Sequence, residues 1–149
     1  MKVNKEELLT KCIQIIDEKL ENIQQAINGY QQDLNSETKS SAGDKHETGR
    51  AMLQLEMEKL GQQYQTVLSQ KDILRKIDVS YKEKVQLGSL VLANGFYYFL
   101  ASSVGQVKFN NKIIMVVSVN SPIGQILLGK QQEDVFAFNG KQFKIEEIK

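Results

Sequence analysis

Two acidic residues in the most polar stretch of the chain suggest the most definite chemistry. Asp44 and Glu47 stand three positions apart within NSETKSSAGDKHETG, residues 35–49. Carboxylate oxygens are the hard ligands that Mg²⁺ prefers, and one or two protein carboxylates often suffice to hold this ion among its waters. The same spacing fits a helix-capping box, with Asp as the N-cap and Glu at the third helical position. The spacing leaves both roles open, and they are partly compatible.

Other residue types that could carry catalysis are scarce. Cys12 is the only cysteine and His46 the only histidine, so one chain can form neither an internal disulfide nor a zinc site of several Cys and His ligands. His46 lies in a very polar stretch and forms no convincing Ser–His–Asp arrangement. Residues 124–130, GQILLGK, lack the glycine spacing of a phosphate-binding loop. The sequence therefore indicates no independent catalytic centre.

A long helix with one apolar stripe is predicted over residues 4–34. Asn4 is suited to cap this helix, and Glu7 completes the capping-box spacing. Apolar residues then recur in alternating steps of four and three, the pattern that keeps one stripe facing a partner helix. The stripe consists of Leu9, Ile13, Ile16, Leu20, Ile23, Ile27, Tyr30 and Leu34.

A second helix is predicted from the polar segment to about Ile77. Its stripe continues the same spacing, interrupted by Lys71. The members of this stripe are Leu53, Met57, Leu60, Tyr64, Val67 and Leu74. Two helices of similar length with a polar link predict an antiparallel coiled-coil hairpin over residues 1–78, with a polar tip at 35–49. Because such a link closes at small entropic cost, the hairpin is expected to form within one chain and the protein to be monomeric.

The pattern changes to a β-rich one over residues 79–149. Five stretches rich in Val, Ile, Phe and Tyr predict strands: SLVLA, FYYFLAS, KIIMVVSV, DVFAF and QFKIEEI. Asn94-Gly95 and Asn139-Gly140 are turn signals, and Pro122 is suited to open a short helix. The fold class is therefore α+β, a helical hairpin followed by a small antiparallel β-sheet domain with a short helix. Residues 79–149 carry 8 Lys and Arg against 5 Asp and Glu, whereas residues 1–78 carry 11 against 13.

The carboxyl-terminal segment resembles a known family. Residues 121–148, SPIGQILLGKQQEDVFAFNGKQFKIEEI, are similar to the closing segment of bacterial Gre transcript-cleavage elongation factors, whose pattern reads like SPLGxALLGKxxGDxVxV. The matching residues are Ser121, Pro122, Gly124, Leu127, Leu128, Gly129, Lys130, Asp134 and Val135, and in an upstream VxxGSxV pattern Val85, Gly88, Ser89 and Val91. Glu133 stands where the family pattern has glycine.

The resemblance extends to the polar tip. Gre factors carry a motif like GDLSENAEY between their two long helices, and this chain has GDKHETGRA there. Gly43, Asp44 and Glu47 match. The positions that differ are Lys45, His46, Thr48 and Arg50.

The resemblance implies a fold and a function. The carboxyl-terminal domain would be FK506-binding-protein-like, and the partner would be RNA polymerase, contacted in part through Ser121, Pro122, Gly124, Gly129 and Lys130. The hairpin would enter a pore of the polymerase, where Asp44 and Glu47 would help to hold a second Mg²⁺. Two metals can stabilise both the attacking and the leaving oxygen in phosphodiester hydrolysis. The isolated protein would bind no cofactor and would not be an enzyme, and it would meet nucleic acid only through the polymerase complex.

Alternatives remain at this stage. The factor could stimulate transcript cleavage or regulate without cleavage, because four tip positions depart from the family motif. A coiled-coil adaptor or chaperone-like arm without polymerase contact is the second hypothesis, and a peptidyl-prolyl isomerase is the third. No signal peptide or membrane-spanning run is evident, so the cytoplasm is the expected location.

Overall fold

The computed structural model describes the backbone of residues 1–39 and 44–149 and the side chains of residues 1–36 and 48–149. The helices are α1 (Lys5–Lys39), α2 (Asp44–Arg75) and α3 (Pro122–Leu127). The strands are β1 (Leu90–Ala93), β2 (Phe96–Ala101), β3 (Gly105–Phe109), β4 (Lys112–Ser118), β5 (Val135–Phe138) and β6 (Lys141–Ile148). The predicted α+β fold of two long helices, a small sheet and a short helix is confirmed.

Both long helices extend further into the polar segment than the residue types predict. A loop is predicted over residues 35–49, whereas α1 continues to Lys39 and α2 begins at Asp44. The segment contains no proline, and Ser, Thr, Asn and Asp each disfavour a helix interior by less than about 0.7 kcal/mol. The unfavourable helix propensities of these residues are therefore too small to end a helix that is already formed.

The cap of α1 is the one predicted. Asn4 Oδ1 accepts a hydrogen bond from the backbone N–H of Glu7 at 3.1 Å, and the Asn4 carbonyl accepts one from Leu8 N–H at 3.0 Å. The first bond satisfies one of the N–H groups that a helix start leaves without an intrahelical partner, and the second is the first regular hydrogen bond of the helix.

Residue contacts divide the chain into two compact units. Residues 16–69 form one, called here the hairpin unit, and residues 1–15 with 70–149 form the other, called the sheet unit. The predicted boundary near residues 78–84 follows the change in composition. The contacts instead group the first turns of α1 and the end of α2 with the sheet.

The hairpin unit buries the predicted apolar stripes. Ile16, Leu20, Ile23 and Val67 are buried, and the other stripe positions in this unit are half-buried. One shallow groove is lined by Tyr30, Asp33 and Ser36 of α1 together with Gly49, Met52, Leu53 and Glu56 of α2. The end of α1 thus lies beside the start of α2, as an antiparallel pair requires.

The sheet has the strand order β3-β4-β2-β1-β6-β5. Four of its neighbouring pairs are antiparallel, but β2 and β4 are parallel, with Tyr98 opposite Met115. The prediction of a purely antiparallel sheet is wrong at this pair, because the chain crosses over through β3 at the edge before β4 returns beside β2. The prediction also missed β3, whose sequence GQVKF has only two large apolar residues.

Three tight turns connect antiparallel neighbours. Each has two residues with positive φ, at Asn94-Gly95, Asn110-Asn111 and Asn139-Gly140. Positive φ at both central positions is the geometry of type I′ turns, which match the twist of a β-hairpin. The two Asn-Gly turns were predicted; Asn110-Asn111 lacks the glycine that makes the signal obvious.

Both faces of the sheet are covered with apolar side chains. On one face, α3 supplies Ile123 and Leu127 to a core with strand residues that include Val91, Leu100 and Ile145. Strand alternation places Leu90, Phe99 and Ile114 on the opposite face, and these are fully buried as well. In the same unit Val3, Leu8, Cys12 and Leu74 of the helical segments are buried. Phe109 of β3 lines a groove with Thr10 and Gln14 of α1, so α1 begins beside the sheet.

Candidate partner-binding surface

The two sequence segments that carry the family resemblance in residues 79–149 are joined in space. Val85 N–H donates to the Lys130 carbonyl at 2.9 Å, and Gly129 N–H donates to the Val85 carbonyl at 2.8 Å. The VxxGSxV segment and the end of the SPIGQILLGK segment therefore form one hydrogen-bonded structure. About forty residues of chain lie between them, so short-range sequence order alone does not produce this pairing.

Ser121 and Gly124 build the start of α3. Ser121 Oγ accepts a hydrogen bond from Gly124 N–H at 3.1 Å and donates one to the Ser118 carbonyl at 2.6 Å, and Pro122 occupies the first turn. A Cβ atom at position 124 would lie 2.1 Å from the Ser118 carbonyl oxygen. Only glycine fits this position without a backbone shift. Ser121 and Gly124 are thus explained by the fold.

Gly88 and Ser89 have an equally local explanation. Gly88 has a φ of +92°, and a Cβ there would lie 2.3 Å from the Asp78 carbonyl oxygen. The buried Ser89 hydroxyl accepts a hydrogen bond from Gln86 N–H at 2.9 Å. The backbone at position 88 can lie this close to the Asp78 carbonyl because glycine has no side chain.

Glu133 occupies a backbone conformation that explains the glycine of the family pattern. Its φ is +74°, a region in which side chains other than glycine are disfavoured. Asp134 closes the adjoining turn by accepting a hydrogen bond from Gln131 N–H at 2.7 Å. Glu133 also pairs with Lys144 at 2.7 Å, and this hydrogen-bonded contact raises the pKa of Lys144. The turn persists with a glutamate, whose strain the surface ion pair offsets only in part.

The residues of the motif that face outward define a candidate surface. Pro122, Gln125 and Leu128 are exposed, and Lys130 is half-exposed. Leu127 is fully buried, while its neighbour Leu128 is 40% exposed. Only the first leucine of the pair therefore belongs to the core. We call Pro122, Gln125, Leu128 and Lys130 the α3 surface.

The five predicted partner-binding residues thus fall into two groups. Pro122 and Lys130 are available at the surface, and Gly129 is exposed with a positive φ of +80°. Gly124 is buried, and Ser121 is occupied as a helix cap. Leu128 was not singled out from the sequence as a partner-binding residue.

The predicted tip acids lie outside the described side chains. α2 begins at Asp44, but the side chains of residues 37–47, which include Asp44, Glu47 and His46, are not among those that the structure describes. Their roles as metal ligands or as helix caps remain predictions. In the described parts of the chain no group of three or more His, Cys, Asp or Glu side chains could hold a metal ion.

Cys12 is a core residue. It is fully buried, and burial raises the pKa of its thiol to about 12. A thiol becomes a nucleophile or metal ligand only as a thiolate. Cys12 therefore acts as a small apolar residue of the core. Across the described residues, no helix is both long and apolar enough to cross a membrane.

Comparisons with known proteins gave matches among solved structures only. No protein-family model and no curated protein matches the chain. GreA factor homolog 1 (Gfh1) of Thermus thermophilus is 20% identical, with 92% of this chain and 94% of that chain covered and a TM-score of 0.37. Gfh1 of Thermus aquaticus is 22% identical, with 89% and 90% covered and a TM-score of 0.36. A third structure, of the transcription factor Gfh1, is 20% identical with a TM-score of 0.36. With TM-scores below 0.5, these matches are similarities that carry no functional conclusion.

Proposed function

We propose that this chain is an accessory transcription factor of the Gre type, which binds RNA polymerase and acts through the polar tip between its two long helices. The observation that carries the proposal is the hydrogen bonding between residues 85–91 and 121–130, the two segments in which the family pattern was found. Independent chance matches to short patterns would not be expected to form one structure. The preceding pair of long helices supplies the second element that the resemblance implies.

The α3 surface is the proposed docking surface for the polymerase. It combines the exposed Leu128 with the half-exposed Lys130, both of which directly follow a short helix capped by Ser121. Apolar anchors surrounded by polar groups are the usual energetic centres of protein interfaces. The small positive charge of residues 79–149 would assist the approach to an acidic partner surface.

A matched pair of substitutions tests this docking. Leu128→Asp places a charge on the α3 surface, and Ile113→Asp places the same charge at an exposed apolar position on β4. Leu128→Asp is expected to weaken binding to purified core RNA polymerase by about tenfold or more, as for loss of an interface anchor. Ile113→Asp should bind as the wild type does. Equal binding by both variants would place the docking surface elsewhere.

The tip acids have a proposed role in the effect on the polymerase. Asp44 and Glu47 offer carboxylate oxygens, the donor type that Mg²⁺ prefers, on two positions separated by three residues. In the polymerase complex a shared Mg²⁺ would supply Lewis-acid stabilisation of the phosphodiester oxygens. This chain would contribute the two carboxylates, and the polymerase would contribute the rest of the site.

The combined change Asp44→Ala and Glu47→Ala separates the metal role from the capping role. The metal role predicts that stimulation of transcript cleavage in stalled complexes is abolished while polymerase binding is retained. The capping role predicts a loss of about 1 kcal/mol of stability and no selective change in activity. Asp33→Ala with Glu56→Ala, two acids of the groove between α1 and α2, is the matched control.

A regulator without cleavage activity is the second version of the same proposal. Lys45, His46, Thr48 and Arg50 depart from the family tip, and two of them add positive charge beside the acids. If the wild type slows transcription without any cleavage, this version is correct. Reverting these four positions to the family motif would then be expected to restore cleavage.

An adaptor function without polymerase contact has one observation in its favour. Met52 and Leu55 of α2 are 65% and 52% exposed, so the hairpin unit carries apolar surface that a protein partner could cover. A pull-down with purified core polymerase distinguishes the two functions. Absence of any complex at micromolar concentrations would favour the adaptor.

A further inference from the structure

A second region of the sheet unit combines positive charge with an exposed aromatic ring. An open groove of about 500 Å³ is bordered by the first residues of the chain, the segment after α2, the β3–β4 turn and Lys149. We call it the amino-terminal groove. The lining residues used below are Lys2, Lys5, Glu6, Tyr81, Asn110 and Lys149.

Lys5 brings a buried positive charge to this groove. The side chain is 7% exposed, and its Nζ donates hydrogen bonds to the Ser80 carbonyl at 3.0 Å and the Gly88 carbonyl at 2.9 Å. Both acceptors are neutral, so they satisfy donors without cancelling the charge. Burial, together with the like charges of Lys82 and Lys149, lowers the pKa of Lys5 to about 8, against a smaller opposing effect of Asp78.

The other lysines leave an excess of positive charge. Lys149 Nζ donates to the Val3 carbonyl at 2.9 Å, again a neutral acceptor. Lys82 is paired with Asp78 at 3.0 Å, and Lys2 is exposed. The charged side chains that line the groove are thus Lys2, Lys5 and Lys149 against the single acid Glu6. An ammonium has three N–H donors, so Lys149 retains donors beyond the bond to Val3.

Tyr81 adds a flat surface beside these charges. Tyr81 is 70% exposed, the largest exposure among the large apolar and aromatic side chains of the described residues. It lines the same groove. Asn110, in the β3–β4 turn, brings a side chain amide with both donors and an acceptor. Aromatic side chains next to a basic groove are the arrangement on which nucleic-acid bases stack while their phosphates meet cations.

We propose that the amino-terminal groove binds a nucleotide unit, with the phosphate held by Lys149 and Lys2 and the base stacked on Tyr81. The ligand chemistry is the same whether the unit is a free nucleotide or part of a single strand. A phosphate would neutralise charge that the neutral carbonyls leave in place, and charge-assisted bonds to phosphate are among the stronger hydrogen bonds. The site is separate from the α3 surface and from the tip, and it does not depend on polymerase binding.

The test uses the full chain, labelled with ¹⁵N, and three probes without added metal. These probes are ATP, inorganic triphosphate and a short single-stranded RNA. Saturating shifts of the backbone amides of residues 2–6, 79–81 and 110 are expected. Lys149→Gln and Lys2→Gln should each weaken ATP binding by about threefold to tenfold. Glu6→Gln should tighten it, because the opposing charge is removed. Lys141→Gln, at an exposed lysine of β6, is the matched control and should bind as the wild type does.

Tyr81→Ala isolates the base. It should weaken binding of ATP and RNA but leave that of inorganic triphosphate unchanged. Tighter binding of RNA than of ATP would identify a strand as the source of the nucleotide, and the reverse would identify a free nucleotide. The proposal is overturned if no probe saturates in the millimolar range, if Lys141→Gln weakens binding as much as Lys149→Gln, or if Glu6→Gln weakens it. Thermal melts of each variant confirm that the fold is retained.

Discussion

At several positions the residue type is required by the geometry of the backbone, although the sequence pattern suggests a contact with a partner. The SPxG pattern looks like a recognition motif, but Ser121 is a helix cap and Gly124 leaves room for a carbonyl oxygen. The family glycine before Asp134 has a different backbone explanation, since Glu133 there adopts a positive φ. Of the neighbouring residues, Leu128 is exposed and Lys130 half-exposed, and both belong to the proposed docking surface.

Gly124 gives a direct test at this scale. Gly124→Ala is expected either to lower the free energy of unfolding by about 3 kcal/mol or to shift the backbone. The reason is that a buried Cβ would lie 2.1 Å from the Ser118 carbonyl oxygen. Gly129→Ala is the control. Its Cβ would meet no atom within 4 Å, so only the positive φ opposes it, at about 1 kcal/mol. Urea denaturation measures both, and equal losses would show that the close contact at position 124 costs no more than a positive φ does at position 129.

The lowered pKa of Lys5 predicts that the stability of the protein depends on pH. Its pKa is about 8 in the folded chain against an ordinary value of 10.5, so between these values the unfolded chain binds more protons at this residue. Stability should therefore rise with pH across this window. Lys5→Met should flatten the rise above about pH 8. Denaturation midpoints at several pH values check this, and an unchanged slope in the variant would contradict it.

At the scale of elements, periodicity predicted the two long helices because each carries a single apolar stripe over many turns. The stripe positions from Ile16 to Ile23 are buried as expected. β3 was missed because only Val107 and Phe109 alternate in it, and the parallel pairing of β2 with β4 has no local signature. The hydrogen bonds between residues 85 and 130 are likewise invisible in either segment alone.

A pair of identical substitutions tests the apolar stripe of the hairpin unit. Leu20→Ala removes a buried side chain and should cost about 2–4 kcal/mol. Leu55→Ala removes an exposed one in α2 and should cost less than about 0.5 kcal/mol. Loss of helical circular dichroism on urea titration measures both. Similar losses would mean that Leu55 is covered in solution, for instance by a second copy of the chain.

At the scale of the whole molecule, composition and contacts divide the chain differently. Sequence composition changes near residue 78, but residues 1–15 and 70–78 belong to the sheet unit. Val3, Leu8 and Leu74 are buried there, and Lys5 donates to the carbonyl of Gly88. The composition of a segment reflects its residue types, whereas a domain is defined by which residues pack together. The composition boundary and the packing boundary therefore need not fall at the same residue.

Two fragments test this division. Residues 79–149 alone should melt at a lower temperature than a fragment in which residues 1–15 are joined by a flexible linker to 70–149. The shorter fragment should also bind a hydrophobic dye, because the face with Leu90, Phe99 and Ile114 loses the apolar side chains of its own unit. Equal melting temperatures and no dye binding would favour the predicted boundary near residue 78.

In the division by contacts, the hairpin unit is inserted in sequence between the two parts of the sheet unit. Its two junctions, near residues 15 and 70, both lie inside continuous helices, since α1 and α2 each pass from one unit into the other. Exchange of hairpins between homologous chains would therefore have to preserve helical phase at both junctions. A residue added at one of them would rotate every following stripe position by about 100°. Whole heptads could be added or removed in pairs, one in each helix, without moving any stripe position to another helix face, so the hairpin unit can change length while the residues of the sheet unit stay the same.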